Sequence, residues 1–342
     1  MDDLISLLSF ALTIGIKVGR LETMIDSKIS TLTGDQLIRL VSLFRSAKIQ
    51  YANKYDVSLK YTHYLMKSDA QSIEIYSNIL TAMKLFSRNV EFVSNLDQKI
   101  LRLSEQLNVK NWIDLLITKS ILRQRDVNIL EAAAHQLIAL DKEQNKLTLD
   151  NVQQALLSCG ILSFMDEKFE KHLIGCLSNA LKKPDLLKKK SETETLLGSI
   201  INSIGMLQIR DTRTLNTLAK YLMDNFGQSQ KLLTSFVITC GHLNYNPNTA
   251  EFKQMIKKLN TTTHPMTEKK DKIMFLNYVW STCLLKCPNT TFMATVLDEQ
   301  KFYGELLHGT LNLFFSIINT QIRSKLYFLF AFKELNLKSI LL

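Results

Sequence analysis

Apolar residues along the chain recur at helical spacing in paired runs, and each pair is broken by a short polar corner. The corners align on an apolar landmark just before each turn, at Ile49, Leu85, Leu122, Leu162, Leu207, Leu243 and Leu285. The spacings are 36, 37, 40, 45, 36 and 42 residues. Helix pairs with a period in this range mark an α-solenoid, in which each repeat buries its apolar faces against its neighbours. The pattern therefore predicts an all-α chain, an α-solenoid of about seven helix-pair repeats with a period of 36–45 residues.

The corners share chemistry as well as position. They read Phe86-Ser87-Arg88-Asn89, Arg123-Gln124-Arg125-Asp126, Ser163-Phe164-Met165-Asp166, Gln208-Ile209-Arg210-Asp211, Asn244-Tyr245-Asn246-Pro247 and Lys286-Cys287-Pro288-Asn289. Most end in Asp, Asn or Pro, residues that cap or open a following helix. The fifth repeat is the clearest. Leu196, Leu197, Ile200, Ile201, Ile204 and Leu207 form one apolar stripe. Asp211 then caps a second stripe of Leu215, Leu218, Ala219, Leu222 and Met223.

Composition supports one elongated helical body. Only 4 Pro and 11 Gly punctuate the 342 residues, and 46% apolar against 22% charged residues exclude bulk disorder. The net charge of +10 is uneven: residues 172–270 carry 14 Lys and Arg against 7 Asp and Glu, so +7 of it sits there. A basic repeat surface suits an anionic partner, the backbone of RNA or DNA above all, although Lys-rich helices also serve solubility alone.

The five cysteines are odd in number and form no Cys-x-x-Cys pair, so buried free thiols fit better than disulfides. Cys283 and Cys287 have no partner at zinc-ligand spacing. The apolar run at residues 4–16 follows Asp2 and Asp3, unlike a secretory or transit leader. Gln321, Arg323 and Lys325 interrupt the apolar C-terminal stretch, leaving no run of about 18 residues to span a membrane.

Catalytic constellations are missing. There is no Gly-x-Gly, Walker loop, Gly-x-Ser-x-Gly elbow or His-Glu-x-x-His, and the six histidines form no i, i+4 pair. Pro184-Asp185 and Glu268-Lys269-Lys270 imitate a metal-nuclease pattern, but that chemistry needs carboxylates on adjacent strands. The match reads as coincidence. Neither a cofactor nor a metal is expected. Asn260-Thr261-Thr262 and Asn289-Thr290-Thr291 are sequons that matter only in a secreted protein.

Two stretches resemble the FAST-kinase-domain family, the relatives of Fas-activated serine/threonine kinase. The run from Leu197-Gly198-Ser199-Ile200 to Ile209-Arg210-Asp211 is similar to that family's leucine-rich module. Asn277-Tyr278-Val279-Trp280-Ser281 with the following Leu284-Leu285, and then Val296-Leu297, resembles its second module. The resemblance divides the chain into N-terminal helical repeats (1–194), FAST-type leucine-rich repeats (195–265), a second FAST-type module (266–307) and an unmatched apolar tail (308–342).

The resemblance implies a mitochondrial-matrix regulator that binds organellar RNA and affects mRNA stability, processing or ribosomal RNA maturation. Mitochondrial RNA and other RNA-processing proteins would be its partners. The family's usual RAP domain and transit peptide are not recognisable in the sequence, as expected of a fragment. Kinase activity is not expected, because the glycine loop, catalytic loop and metal-binding Asp motif are missing.

In such a reader, Lys and Arg hold phosphates while one or two side chains per repeat meet a base. The candidates are Arg88, Arg123, Arg125, Arg210 and Arg213 near corners, with Lys182, Lys183, Lys257 and Lys258 as phosphate contacts. Each can equally be a helix-end charge or surface ion pair. The rival function is a protein-binding scaffold, since similar repeats hold peptides just as readily. Exposed Leu or Met on the binding face would favour it.

Overall fold

A computed structural model describes residues 2–14, 19–28, 90–144, 147–182, 190–262, 264 and 268–297, with scattered positions in 31–43 and 76–84. It is an all-α helical repeat with no strand among the described residues. The chain divides into two compact units, residues 1–146 and 147–342.

Unit 1 contains α1 (Asp2–Thr13), α2 (Gly19–Asp26), α3 (Val90–Arg102), α4 (Val109–Leu122) and α5 (Val127–Gln144). Helix α4 starts at a reciprocal cap: Asn108 Oδ1 accepts from the Asn111 N–H, and Asn111 Oδ1 accepts from the Asn108 N–H, both at 3.1 Å. It forms a hairpin with α5 around Trp112, Ile113, Leu116, Ile129, Leu130 and Ala133, all buried. An ion pair links α3 to α4, Lys119 Nζ to Asp97 Oδ2 at 2.5 Å, with both side chains almost fully covered.

Among its described residues, unit 2 contains four hairpins. They are α6 (Leu149–Leu162) with α7 (Glu167–Ala180), α8 (Lys190–Leu207) with α9 (Thr212–Phe226), α10 (Gln230–His242) with α11 (Ala250–Thr261), and α12 (Lys269–Leu284) with α13 (Thr290–Val296). The first helices α6, α8, α10 and α12 pack side by side, and the second helices α7, α9 and α11 form a row behind them. Both stripes of the fifth repeat are interior as expected: Leu197, Ile200, Ile201 and Ile204 are buried, as are Leu215, Leu218, Ala219 and Leu222. Leu196, Leu207 and Met223 lie half-exposed at the margins.

One turn geometry recurs at every described corner. The residue after the landmark is left-handed in all five, Arg123, Ser163, Gln208, Asn244 and Lys286, with φ of 52, 48, 57, 49 and 59°. The next N–H reaches back to the carbonyl three before the landmark at 2.9–3.1 Å, from Gln124, Phe164, Ile209, Tyr245 and Cys287. This is the six-to-one bond of a Schellman motif, which satisfies the last carbonyls of the first helix. Asp126, Asp166, Asp211 and Asn289 then cap the second helix, accepting backbone N–H bonds at 2.7–3.1 Å. The corner ending in Pro247 differs from expectation. Thr249 caps α11 instead, because proline offers neither a side-chain acceptor nor an N–H, and the turn runs two residues further. The landmarks Ile49 and Leu85 lie outside the described residues.

Close packing of the first helices depends on small residues two before the landmark: Gly160, Gly205 and Gly241. At Gly160 the nearest neighbour of an added Cβ is the end of the Met206 side chain at 3.5 Å. At Gly241 it is Ser281 itself, with the Cα only 2.8 Å away. The α10–α12 contact is thus the tightest of the series.

The five cysteines form no disulfide. Cys159, Cys240 and Cys283 are buried, while Cys176 and Cys287 are partly covered. Burial pushes the Cys159 and Cys283 thiols up to about 12, keeping them protonated and unreactive at neutral pH.

Candidate nucleic-acid interface

Hairpin geometry gives each repeat two edges: one carries the corners, and the other carries the ends of the second helices. The 12 residues of α11 separate these edges by about 18 Å. The cations expected to bind RNA fall on both. Arg210 and Arg213 lie exposed on the corner edge of unit 2, flanking the cap Asp211. Lys182, Lys257 and Lys258 lie at the ends of α7 and α11, on the opposite edge. Arg123 and Arg125 lie exposed on the α4–α5 corner of unit 1. Arg88 and Lys183 are outside the described residues.

Physical cost separates the two groups. A cation in the last turn of a helix is favoured by the macrodipole, so Lys258 is sufficiently explained by α11, with Lys257 one residue before that turn. Lys258 also donates to Gln228 Oε1 at 3.0 Å, tying α11 to the α9–α10 connection. Arg213 in the first turn of α9 opposes the macrodipole. Arg123 occupies a left-handed position where a Cβ costs roughly 1–2 kcal/mol and glycine would cost nothing. The Arg213 charge gains nothing from α9, whereas Arg123 ends α4, where its charge is favoured and its backbone is strained.

The same register adds a residue that the sequence reading did not single out. Lys286 is left-handed and exposed at the α12 corner, one after its landmark, as Arg123 is. Reading down the landmark-plus-one column of the aligned corners would have found it.

The first helices contribute a second surface. The positions 12, 8, 5 and 1 before each landmark are never buried in unit 2. They are Asp150, Gln154, Leu157 and Ile161 on α6, followed by Thr195, Ser199, Asn202 and Met206 on α8. Helix α10 adds Lys231, Ser235, Ile238 and His242, and α12 adds Ile273, Asn277, Trp280 and Leu284. Nearby polar groups bond between helices, as Gln153 Nε2 does to Ser199 Oγ at 2.7 Å. Toward the corners the ribbon turns apolar and aromatic. Leu157, Ile161 and Met206 are 36, 42 and 54% exposed, and the His242 and Trp280 rings meet edge to face at 5.6 Å.

His264 follows α11 and packs within an aromatic group, 5.1 Å from both Phe275 and Tyr278 and 5.2 Å from Phe292 between ring centres. Its Nε2 lies 3.1 Å from the Leu259 carbonyl and its Nδ1 3.1 Å from Gln230 Nε2. A carbonyl only accepts, so Nε2 carries the proton, and Nδ1 accepts from the Gln230 amide. Burial, partly countered by the Leu259 bond, lowers the pKa of this imidazole below the ordinary value. A depressed histidine stabilises the fold above its unfolded pKa of about 6.5 and loses that contribution as pH falls through the folded value. Peptides of 259–278 should therefore exchange amide hydrogens faster at pH 5 than at pH 7, after correction for intrinsic rates. His264→Gln should flatten that dependence.

The nuclease-like pattern gains no geometry. Glu268 is exposed at the start of α12 and pairs with Lys270 at 2.7 Å, and Pro184 and Asp185 lie outside the described residues. No described helix is long and apolar enough to cross a membrane.

Residues 233–307 match the family model for FAST kinase-like protein, subdomain 1. The match supports membership of the FAST-kinase-like family. It takes in the motif at 275–285, and the stretch at 197–211 precedes it. At a coarse level the family points to mitochondrial RNA regulation. No curated protein matches the chain.

Proposed function

For a chain that carries a FAST kinase-like segment, we propose a non-catalytic RNA-binding regulator acting in mitochondria on mRNA stability, processing or ribosomal RNA maturation. In unit 2 single-stranded RNA lies along the corner edge, where Arg210, Arg213 and Lys286 meet phosphates, and unit 1 offers Arg123 and Arg125 at its own corner. The observation that carries this reading is the set of exposed cations on the corner edge, among them Arg213, whose charge stands against a helix dipole. Arg123 and Lys286 hold left-handed turns that strain a side-chain-bearing residue, while their charges suit the helix C-termini they follow. The neighbouring first-helix ribbon supplies exposed polar groups and the Trp280 and His242 rings, features suited to hydrogen-bonding and stacking with unpaired bases.

The test is crosslinking with RNA sequencing on the chain targeted to mitochondria. A small set of enriched organellar transcripts, lost on Arg210→Glu with Arg213→Glu, supports the proposal. Crosslinking no higher than that of a neutral control protein overturns it.

Exposed Leu157, Ile161 and Met206 favour a second reading, a scaffold that docks a partner protein on the first-helix ribbon. That reading predicts a specific partner released by Met206→Glu but retained by the Arg210→Glu, Arg213→Glu variant.

A further inference from the structure

Where α11, α12 and α13 meet, a cavity of about 310 Å³ opens beside His264, Phe275 and Phe292. Phe275 is buried, whereas His264 and Phe292 remain half-exposed. Phe275 and Phe292 meet edge to face at 5.2 Å, so their ring planes are fixed against one another. Asn260, Thr262 and Thr291 stand on the rim. The Asn260 side chain is oriented by accepting the Tyr278 hydroxyl at 2.9 Å, and the Thr262 hydroxyl donates to the Lys258 carbonyl at 2.8 Å, keeping oxygen lone pairs to accept with. The sequon stretch 260–262 and Thr291, the last residue of the other sequon, thus come together around one opening.

The lining defines the ligand. Among the described residues no Lys, Arg, Asp or Glu contributes to it, which disfavours an ionic group. Aromatic walls with an amide and hydroxyl rim suit a flat, neutral, heteroaromatic ring with donors and acceptors at its edge. The volume is at the small end of ligand pockets, fitting one base with its sugar. We propose that this cavity receives a single unpaired nucleobase, stacked on Phe292 and hydrogen-bonded at its edge by Asn260, Thr262 and Thr291. The proposal rests on the RNA-binding reading above and adds to it a site on the FAST kinase-like segment that the corner cations do not supply.

The test uses the full chain with a pool of random single-stranded RNA, and separately with adenosine and uridine. Thr291→Trp fills the mouth of the cavity from an exposed position, and Phe292→Leu keeps apolar bulk while removing the stacking ring. Ultraviolet crosslinks on peptides covering 260–264 or 291–295 are expected, with both variants losing them and binding RNA roughly tenfold more weakly. Thermal melts accompany each variant, and restoration of binding by Phe292→Tyr separates ring stacking from loss of fold.

RNA bound by the wild-type chain with no crosslink in these peptides, and with unchanged affinity in both variants, overturns the cavity and leaves the RNA reading standing. Failure of the wild-type chain to bind either RNA or nucleoside overturns both. Binding of a free nucleoside that both variants abolish, without RNA binding, supports the base site and contradicts the RNA source.

Discussion

Lys119→Met is expected to destabilise unit 1 by roughly 3–5 kcal/mol, because it leaves Asp97 buried without its counter-charge. The pair spans α3 and α4 at 2.5 Å, and both side chains are almost fully covered. Asp97 Oδ1 makes no hydrogen bond, so the Lys119 contact carries most of the compensation for its charge. Burial already raises the Asp97 pKa, with Lys119 pulling the other way. Without Lys119 the carboxyl takes up a proton more readily, and the loss shrinks as pH falls toward the carboxylate range. Peptide-resolved hydrogen exchange over α3–α5 reads the effect. The double substitution Lys119→Met with Asp97→Leu should recover most of the loss, since apolar replacements of buried ion pairs are often neutral. A single substitution that leaves exchange unchanged would show that the pair is solvated.

The second large effect is expected at Gly241. Its added Cβ would lie 2.5 Å from Ser281 Oγ and 2.8 Å from Ser281 Cα, so α10 and α12 must separate for Gly241→Ala to fit. Overpacking of this kind costs about 1–3 kcal/mol, partly offset by roughly 1 kcal/mol of helix propensity gained in replacing glycine. The Ser281 hydroxyl is buried without a hydrogen-bond partner, so no polar contact compensates. Combining Gly241→Ala with Ser281→Gly should recover only part of the lost melting temperature, because it removes the Cβ and Oγ contacts but leaves the Cα at 2.8 Å. Ser281→Ala, which keeps the clashing Cβ, should recover less. Gly160→Ala is the internal comparison. Its neighbour is the mobile end of Met206, and the substitution should be neutral or mildly stabilising. Equal melting temperatures for both glycine variants would refute the tight α10–α12 contact.

The repeat frame was legible in the sequence because the turn that builds it has fixed chemistry. A helix that ends in a Schellman motif and restarts four residues later needs an apolar landmark and a capping side chain, and both sit in register at Asp126, Asp166, Asp211 and Asn289. The left-handed residue was not legible, since Arg, Ser, Gln, Asn and Lys occupy it in turn and none announces a positive φ. Lys119 was hidden for a related reason. It occupies a core register filled elsewhere by Cys159, Ile204, Cys240 and Thr282, and its counter-charge lies on another helix. Both helices of a hairpin share the 3.6-residue period, so periodicity alone does not reveal which row carries the open ribbon through Met206 and Trp280. The cavity draws on three helices and His264, and its Thr261, Thr262 and Thr291 were read only as sequons.

The candidate cations were visible as residue types but not as a surface. Hairpin topology separates Arg210 and Arg213 from Lys257 and Lys258 onto opposite edges, a division that charge counting along the sequence does not contain. Helix-end electrostatics then distinguishes charges the fold favours from charges it merely tolerates.

The most direct test of the corner-edge account is the salt dependence of affinity for single-stranded RNA. Arg210→Ala with Arg213→Ala removes two phosphate contacts and should reduce the slope of log K against log salt by about 1.4. The charge-matched control is Lys220→Ala with Lys253→Ala, two exposed lysines on the second-helix row, which should change the slope by less than about 0.5. Equal changes in the two variants would mean that RNA responds only to net charge, and no change in either would remove the corner edge from the interface.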